Sequence, residues 1–207
     1  KEAEVLTAVK EGLTQGLSVR AINIAEDLRK QYVRSLQLIT DKPVLYVCNV
    51  DEASAGTGNA YVTRVKEAVK KEHADVLVLA VATEADINEL ETFEERQLFL
   101  EDLGLEEPGA SKLIRSAYAL LALQTYFTAG KKEVRAWTIP IGATAPEAAG
   151  VIHSDFEKGF IRAEVIAFSD YVALGNESKI REAGKLSIEG KEYIVKDGDV
   201  VHFRFNV

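Results

Sequence analysis

Apolar residues along the first 123 positions follow two different spacings, and each spacing predicts a different kind of element. A spacing of three or four residues, typical of amphipathic helices, occurs at residues 5–13, 28–39, 60–72, 93–103 and 111–123. Continuous apolar runs at 44–48 and 75–81 instead predict strands that are buried on both faces. Because a helical stretch separates the two strands, we expect them to be parallel neighbours in an α/β sheet.

After Gly130 the pattern becomes that of a small mixed module. Short strands are predicted at 133–139, 161–166, 192–195 and 200–205, together with a helical segment at 145–152. On the last strand, residues 201, 203 and 205 are apolar and residues 202, 204 and 206 are polar. The first set should therefore face a core and the second set the solvent. The chain is expected to combine an α/β part with a separate α+β part of roughly 80 residues, a usual domain size.

The sharpest chemical feature is Asn49-Val50-Asp51-Glu52, which follows the first predicted strand. Ligands of open α/β sheets bind at the carboxyl ends of the strands. The tetrapeptide resembles the Asn-Lys-x-Asp motif of P-loop GTPases, in which the Lys stem covers the base and the Asp accepts N–H groups of guanine. Here Val50 and Glu52 replace those two residues, so a preference for guanine should be lost or weakened. Taken alone, the same four residues also suit an ordinary turn, because Asn and Asp favour turns.

The charge of the chain limits the kinds of partner that it is expected to bind. The net charge of −8 argues against non-specific binding to nucleic acid or to an anionic membrane. The acidic excess belongs to residues 1–127, which carry 14 basic and 21 acidic residues, whereas residues 128–207 carry 11 and 12. The second part of the chain could therefore still present a basic face.

Composition indicates a cytoplasmic, globular protein without a membrane partner. No apolar run approaches the roughly 20 residues of a membrane-spanning helix, and the first residues do not have the pattern of a secretory signal. The single cysteine, Cys48, lies in an apolar strand and is interpreted as a core residue. The chain has no methionine and opens inside a charged amphipathic run. We therefore expect it to be part of a longer protein.

Six stretches together carry a resemblance to a known family. They are 42–52 (KPVLYVCNVDE), 99–104 (FLEDLG), 125–138 (TYFTAGKKEVRAWT), 143–146 (ATAP), 151–165 (VIHSDFEKGFIRAEV) and 197–207 (DGDVVHFRFNV). In this order they resemble the YchF subfamily of Obg-like ATPases, across essentially the whole chain. The resemblance implies the C-terminal part of a P-loop GTPase-like nucleotide-binding domain, followed by an α+β β-grasp (ubiquitin-like) TGS domain. It divides the chain into the end of an inserted helical coiled-coil hairpin (1–40), the base-recognition part (41–123) and the TGS domain (124–207).

The resemblance also implies a function for the intact protein. It would be a ribosome-associated, monomeric enzyme that contacts the large subunit and hydrolyses ATP, or GTP, with Mg²⁺. The residues implied to contact the base are Asn49, Val50, Glu52, Ala82 and Thr83. The last two belong to a predicted loop at 81–84, which could equally be a plain connection between a strand and a helix. No stretch of the 207 residues matches the phosphate-binding pattern G-x-x-x-x-G-K-[ST], so we expect no hydrolysis and no tight nucleotide binding by this chain, and no catalytic residue is predicted.

Basic residues of the second part suggest a surface for RNA phosphates or for a protein partner. The candidates are Lys131, Lys132, Arg135, Lys158, Arg162, His202 and Arg204. A solvated face is an equally good interpretation, because acidic residues are interleaved with them and dilute the potential.

Two further hypotheses concern the module after Gly130. His153 and Asp155 suggest a metal or catalytic site, and so does His202. One His-x-Asp pair lacks the three or four ligands that a metal site requires, and no candidate nucleophile lies beside either histidine in sequence, so we predict neither kind of site. TGS domains also occur as accessory parts of threonyl-tRNA synthetases and of (p)ppGpp synthetases/hydrolases. The chain could accordingly be a non-enzymatic RNA- or protein-binding module, although such a module would not carry the strand end at Asn49–Glu52.

Overall fold

The computed structural model describes residues 1–72, 74–130 and 133–206. Contacts divide the chain into two compact units, with the boundary between Leu120 and Leu121. The first unit contains helices α1 (Glu2–Thr14), α2 (Glu26–Leu28), α3 (Ala60–Val69), α4 (Val81–Glu89), α5 (Phe93–Asp102) and α6 (Gly109–Leu120) and strands β1 (Leu45–Asn49) and β2 (Asp75–Leu79). The second unit contains strands β3 (Leu123–Ala129), β4 (Val134–Pro140), β5 (Phe160–Ile166), β6 (Leu186–Glu189) and β7 (Val200–Phe205) and helices α7 (Ala145–Ile152), α8 (Ser154–Lys158), α9 (Phe168–Leu174) and α10 (Glu177–Glu182). None of the described helices is long and apolar enough to cross a bilayer.

Helix α1 packs against the segment that follows it, with Val9 and Val33 in a shared buried cluster. The predicted helix over 28–39 is wrong in its extent. After α2 the backbone forms a π-helical turn over Arg29–Val33 and a 3₁₀ turn over Arg34–Leu36. Ile39, the last residue of the predicted apolar stripe, is 82% exposed because the chain has left the helical path by then.

Strands β1 and β2 are parallel, as predicted, and pair in register from Leu45 opposite Asp75 to Asn49 opposite Leu79. The expectation that both are buried on two faces is wrong, because Val47 is 44% exposed. The described residues contribute only these two strands to the sheet, and Asn49, two residues after Val47 on the same side of β1, is exposed as well. A narrow sheet of this kind leaves one side of its strands open to solvent.

The connections around β2 and α6 differ from the predicted ones. Strand β2 ends at Leu79 instead of 81, and the predicted loop over 81–84 is instead the first turn of α4, which the bond from the Glu84 N–H to the Ala80 carbonyl oxygen closes at 3.0 Å. Helix α6 ends at Leu120, three residues earlier than predicted, and the chain turns there through Ala122, whose φ is +50°. Since this turn contains neither Gly nor Pro, the apolar pattern runs through it unbroken.

The second unit is built on a five-stranded sheet with the order β4-β3-β7-β5-β6. The two central strands β3 and β7 are parallel, and every other neighbouring pair is antiparallel. Helix α7 covers one face, where the buried hydroxyl of Tyr126 donates to the carbonyl oxygen of Ala148 at 2.9 Å. Helices α9 and α10 cover part of the other face, around Ile166, Ile180 and Val200.

The predicted alternation along β7 is confirmed, since Val201 and Phe203 are buried while His202 and Arg204 are exposed. The predicted strand over 192–195 is wrong, because that segment forms only an isolated bridge between Ile194 and Thr144. Strands β3 and β6 and helices α8, α9 and α10 were not predicted. They are four to seven residues long, too short for a spacing pattern to reveal them.

Candidate functional site

The carboxyl ends of β1 and β2 are joined by the side chain of Asn49. Its Oδ1 accepts the backbone N–H of Val81, the first residue of α4, at 3.1 Å. One residue further on, the N–H of Val50 donates to the carbonyl oxygen of Leu79 at 2.8 Å. The amide of Asn49 therefore fixes the start of α4 against the end of β1.

Asp51, and not Glu52, forms the turn that follows β1. The carboxylate of Asp51 accepts the N–H of Ser54 at 2.9 Å and so caps the short 3₁₀ turn Glu52–Ser54. Glu52 is exposed, and within the described part of the chain its carboxylate makes no hydrogen bond or ion pair. Because Asp51 forms the turn, the carboxylate of Glu52 stays available as an acceptor for a ligand.

The residues that follow β2 differ in their exposure to solvent. Ala82 is exposed beside this edge, whereas Thr83 is 2% exposed, so the Thr83 side chain faces the interior. The sequence analysis did not select Val81, which is 51% exposed and directly follows the edge. An apolar residue at the end of an apolar run gives no signal by itself, and only the bond to Asn49 identifies it.

Glu84 connects this edge to α6. Its two carboxylate oxygens accept the N–H groups of Gly109 at 2.6 Å and of Ala110 at 3.0 Å, so the side chain caps a helix that starts 25 residues later. A Cβ on Gly109 would lie 2.3 Å from the Cδ2 of Leu79. A larger residue here would require the side chains of Leu79 and Glu84 to shift, and Glu84 is the one that caps α6.

A separate cleft of about 850 Å³ in the first unit is lined by three arginines and Lys42. Each arginine is already paired with a carboxylate: Arg20 with Glu72, Arg29 with Asp41 and Arg34 with Glu26. The charges of the three arginines are therefore compensated internally, and among the described residues Lys42 is the one basic side chain of the lining without an ion pair.

The predicted basic surface divides between the two faces of the second unit. Lys131 and Lys132 lie outside the described residues. Arg135 lies on the face covered by α7, where its guanidinium stacks over the ring of Trp137 at 4.1 Å from the centroid. Lys158 is exposed at the end of α8, on that same side.

Arg162, His202 and Arg204 lie on the opposite face, where Arg162 pairs with Arg204 and Glu164 with His202 across β5 and β7. Arg204 donates to the Glu164 carboxylate through Nε at 3.1 Å and Nη2 at 3.2 Å. Arg162 and Arg181, the latter from α10, approach the same carboxylate at 3.7 and 3.9 Å. We call these three arginines around Glu164 the arginine cluster. Arg181 was not predicted, because nothing in the sequence places α10 beside β5.

The histidine of the second unit that suggested a metal site has a local role. Nδ1 of His153 accepts the N–H of Asp155 at 3.2 Å and caps α8. Among the side chains that the structure describes, no three of His, Cys, Asp or Glu lie close enough together to hold a metal ion.

Comparison with known proteins gives two kinds of match. The family model YchF-GTPase_C, described as "Protein of unknown function (DUF933)", matches residues 123–206. The structure of the Schizosaccharomyces pombe YchF GTPase superimposes with a TM-score of 0.83 at 33% sequence identity, covering 97% of this chain and 53% of that one. The fold is thus an α/β fold shared with a class of nucleotide-binding ATPases and GTPases.

Curated relatives narrow this class. The protein named ribosome-binding ATPase YchF of Bacillus subtilis is 50% identical over 208 residues, which covers 100% of this chain and 56% of the relative. The protein of the same name in Haemophilus influenzae is 51% identical, and the match covers 100% of this chain and 57% of the relative. The chain belongs to the YchF family. It spans little more than half the length of the curated relatives it matches.

Proposed function

We propose that this chain carries the base-recognition edge and an interaction domain of a ribosome-associated ATPase. The observation that carries the proposal is the edge at Asn49. Its amide fixes the start of α4 at the carboxyl end of β1, while the carboxylate of Glu52 is exposed and unengaged in the described structure. This is the arrangement that a ligand at the carboxyl edge of an α/β sheet requires.

The chemistry at this edge does not select guanine. Guanine offers N–H donors at two neighbouring edge positions, whereas adenine offers a donor at its amine and an acceptor at the adjacent ring nitrogen. An ionised carboxylate only accepts, so a correctly placed one selects guanine. Glu52 is one methylene longer than the Asp of GTPases, which displaces the acceptor from that position. Val50, together with the exposed Val81 and Ala82, then supplies an apolar surface for either base.

The phosphates and Mg²⁺ would be held by other parts of the protein. The exposed edge at Asn49 and Glu52 suits a base, but no stretch of the 207 residues has the pattern of a phosphate-binding loop. Because the relatives are nearly twice as long as this chain, we propose that the loop lies in a preceding region of the full-length protein. When bound, Mg²⁺ would neutralise charge on the transferred phosphate there. We assign no residue of this chain to it.

We further propose that residues 124–207 form a β-grasp TGS domain, that 41–123 belong to the nucleotide-binding domain and that 1–40 end a helical hairpin. The strand order β4-β3-β7-β5-β6 supports the first assignment. It consists of a first hairpin, a helix, and a last strand inserted in parallel beside the first strand, which is the β-grasp arrangement. The packing of Val9 in α1 against Val33 supports the pairing of the first two helical segments.

The full-length protein should bind ATP at least as tightly as GTP. Glu52 does not reproduce the guanine-selecting acceptor, and Val50 covers either base. Titration with both labelled nucleotides measures the ratio. A tenfold preference for GTP, about 1.4 kcal/mol, would contradict the proposal.

The double change Val50→Lys with Glu52→Asp should move the preference toward GTP by about 1–3 kcal/mol, the usual worth of one good bidentate base contact. It restores both the stem that covers the base and the shorter acceptor. The same titration in the full-length protein provides the measurement. Asp51→Glu is the matched control, because it changes a carboxylate that caps the 3₁₀ turn, and its ratio should not move. If the folded double variant keeps the original ratio, base choice is made elsewhere.

A further inference from the structure

We propose that Glu84 is a positioning residue of the base site. Its carboxylate holds the first turn of α4 against the start of α6, and this turn carries Val81 and Ala82, which belong to the proposed apolar surface for the base. The inference rests on the proposed function, because it concerns the same edge of the sheet. It adds a residue that acts on the base through its neighbours and does not itself contact the base.

Helix α4 has little apolar packing that would fix its position. An amphipathic helix is usually held by an apolar stripe along one face. Of the nine residues of α4, all of which the structure describes, only Thr83 and Ile87 are buried. Ile87, the one buried apolar side chain, lies in a later turn than Val81. The residue before the helix, Ala80, has no side chain that could cap it. The position of the first turn therefore depends on polar contacts.

Two polar side chains hold this turn, and they connect it to different elements. Oδ1 of Asn49 accepts the N–H of Val81 at 3.1 Å, which joins the beginning of the turn to β1. The carboxylate of Glu84 accepts the N–H groups of Gly109 at 2.6 Å and of Ala110 at 3.0 Å, which joins the end of the turn to α6. The surface formed by Val81 and Ala82 lies between these two attachments.

The attachment to α6 is the stronger of the two. An ionised carboxylate that accepts backbone N–H groups forms stronger bonds than a neutral amide does. The positive end of the helix dipole of α6 adds to this attraction. Glu84 is half-buried, and in the described part of the chain it makes no ion pair that would compete. Gly109 is itself buried against Leu79 at the end of β2, so Glu84 is bound to a fixed point of the unit.

Loss of the Glu84 carboxylate should therefore affect the base and not the phosphates. Without it, Asn49 alone would hold the first turn of α4, and the exposed side chains of Val81 and Ala82 could move away from the base. The proposed phosphate-binding loop lies in another region of the full-length protein. A ligand that has phosphates but no base should bind equally well with and without Glu84.

The experiment compares three variants of the full-length protein. Glu84→Ala removes the attachment, and Glu84→Gln keeps the length of the side chain but only one acceptor oxygen. Glu95→Ala is the matched control, because the Glu95 carboxylate also accepts a backbone N–H at a helix start, that of Thr92 at 3.1 Å. The affinity for labelled ATP is measured by titration. The affinity for tripolyphosphate with Mg²⁺ is measured by displacement of the labelled ATP.

We expect Glu84→Ala to raise the dissociation constant for ATP on the order of tenfold, which corresponds to a loss of about 1.4 kcal/mol. The dissociation constant for tripolyphosphate should stay within about twofold, the usual spread between independent sites. Glu84→Gln should weaken ATP binding to a smaller extent, and Glu95→Ala should change neither constant. An unchanged affinity for ATP in Glu84→Ala, or equal losses for ATP and tripolyphosphate, overturns the proposal.

Glu84→Gln decides the question where Glu84→Ala does not fold. Its amide nitrogen faces an N–H donor that the carboxylate accepted, so ATP binding must weaken while tripolyphosphate binding stays the same. An unchanged affinity for ATP in this variant overturns the proposal.

Asn49→Ala separates this inference from the proposed function. A loss that is specific to ATP in Asn49→Ala, with none in Glu84→Ala, leaves the base site standing and overturns the role of Glu84. A specific loss in Glu84→Ala alone supports the positioning role and contradicts the part that the proposed function gives to Asn49. If neither variant loses affinity for ATP, both the base site and the role of Glu84 are wrong.

Discussion

Replacing Gly159 with alanine should destabilise the second unit by about 2–4 kcal/mol. A Cβ at this position would lie 2.0 Å from the carbonyl oxygen of Asn206, closer than real Cβ contacts come. The obstacle is backbone, which cannot rotate aside as a long side chain can. If the chain at Asn206 moved away, it would break its 2.9 Å bond to the Gly159 carbonyl and the adjoining pair between Phe160 and Phe205. A clash with this backbone worsens the packing, and a movement of the chain at Asn206 breaks hydrogen bonds, so both outcomes lower the stability of the second unit.

Denaturant unfolding followed by the fluorescence of Trp137, the single tryptophan of the chain, measures this effect. Trp137 lies in β4 and therefore reports on the second unit. Gly190→Ala is the matched control, because a Cβ at Gly190 would meet nothing within 4 Å and φ there is not positive. Its free energy of unfolding should stay within about 0.5 kcal/mol of that of the unchanged chain. Equal stability of the two variants would mean that the chain at Asn206 is not held against Gly159.

Elements with a strong apolar pattern could be predicted from the sequence. The parallel pair β1 and β2 follows from two apolar runs separated by a helical stretch, and the alternation on β7 follows from its two-residue period. The position of Asn49 at the end of β1 could also be predicted, because this residue directly follows an apolar run in the sequence. Its partner, the N–H of Val81, could not, since that bond depends on how the end of β1 meets the start of α4.

Elements set by tertiary contacts could not be predicted. The end of α6 has no Gly or Pro, and only the left-handed backbone of Ala122 separates the helix from β3. Residues 192–195 are as apolar as many strands, yet the segment has one bridge, from Ile194 to Thr144. In both places the local pattern fits two conformations, and packing selects between them.

The arginine cluster could not be predicted either, because its members meet only in the tertiary structure. The alternation on β7 predicts that Arg204 faces outward, but the register that sets it beside Arg162 and the position of Arg181 on α10 are tertiary. In the sequence, Glu164 reads as an acidic residue that dilutes a basic surface. In the structure it is buried beneath the arginines and orients Arg204 through two hydrogen bonds.

Neutralising Glu164 by Glu164→Gln should lower the free energy of unfolding by about 2–3 kcal/mol at neutral pH, at or just below the lower end of the range of about 3–5 kcal/mol for breaking a fully buried charged pair. The carboxylate accepts two hydrogen bonds from Arg204, at 3.1 and 3.2 Å, and attracts two further arginines. The half-exposed arginines can regain water, which keeps the loss below that of a fully buried pair. Without the carboxylate, three cations remain close together with no central negative charge.

The pH dependence of this loss identifies the charge as its cause. The hydrogen bonds from Arg204 hold the pKa of Glu164 below its ordinary value of 4.5, against the opposing effect of burial. Because the folded state binds the proton less tightly than the unfolded state, the stabilisation is complete above the unfolded pKa and is lost as the pH falls through the folded pKa. The difference in unfolding free energy between the unchanged chain and Glu164→Gln should therefore be constant at neutral pH and shrink below about pH 4.5. Glu177→Gln, at an exposed surface pair, should show almost no difference at any pH. A gap at Glu164 that persists unchanged in acid would mean that the shape of the side chain, and not its charge, stabilises this face of the sheet.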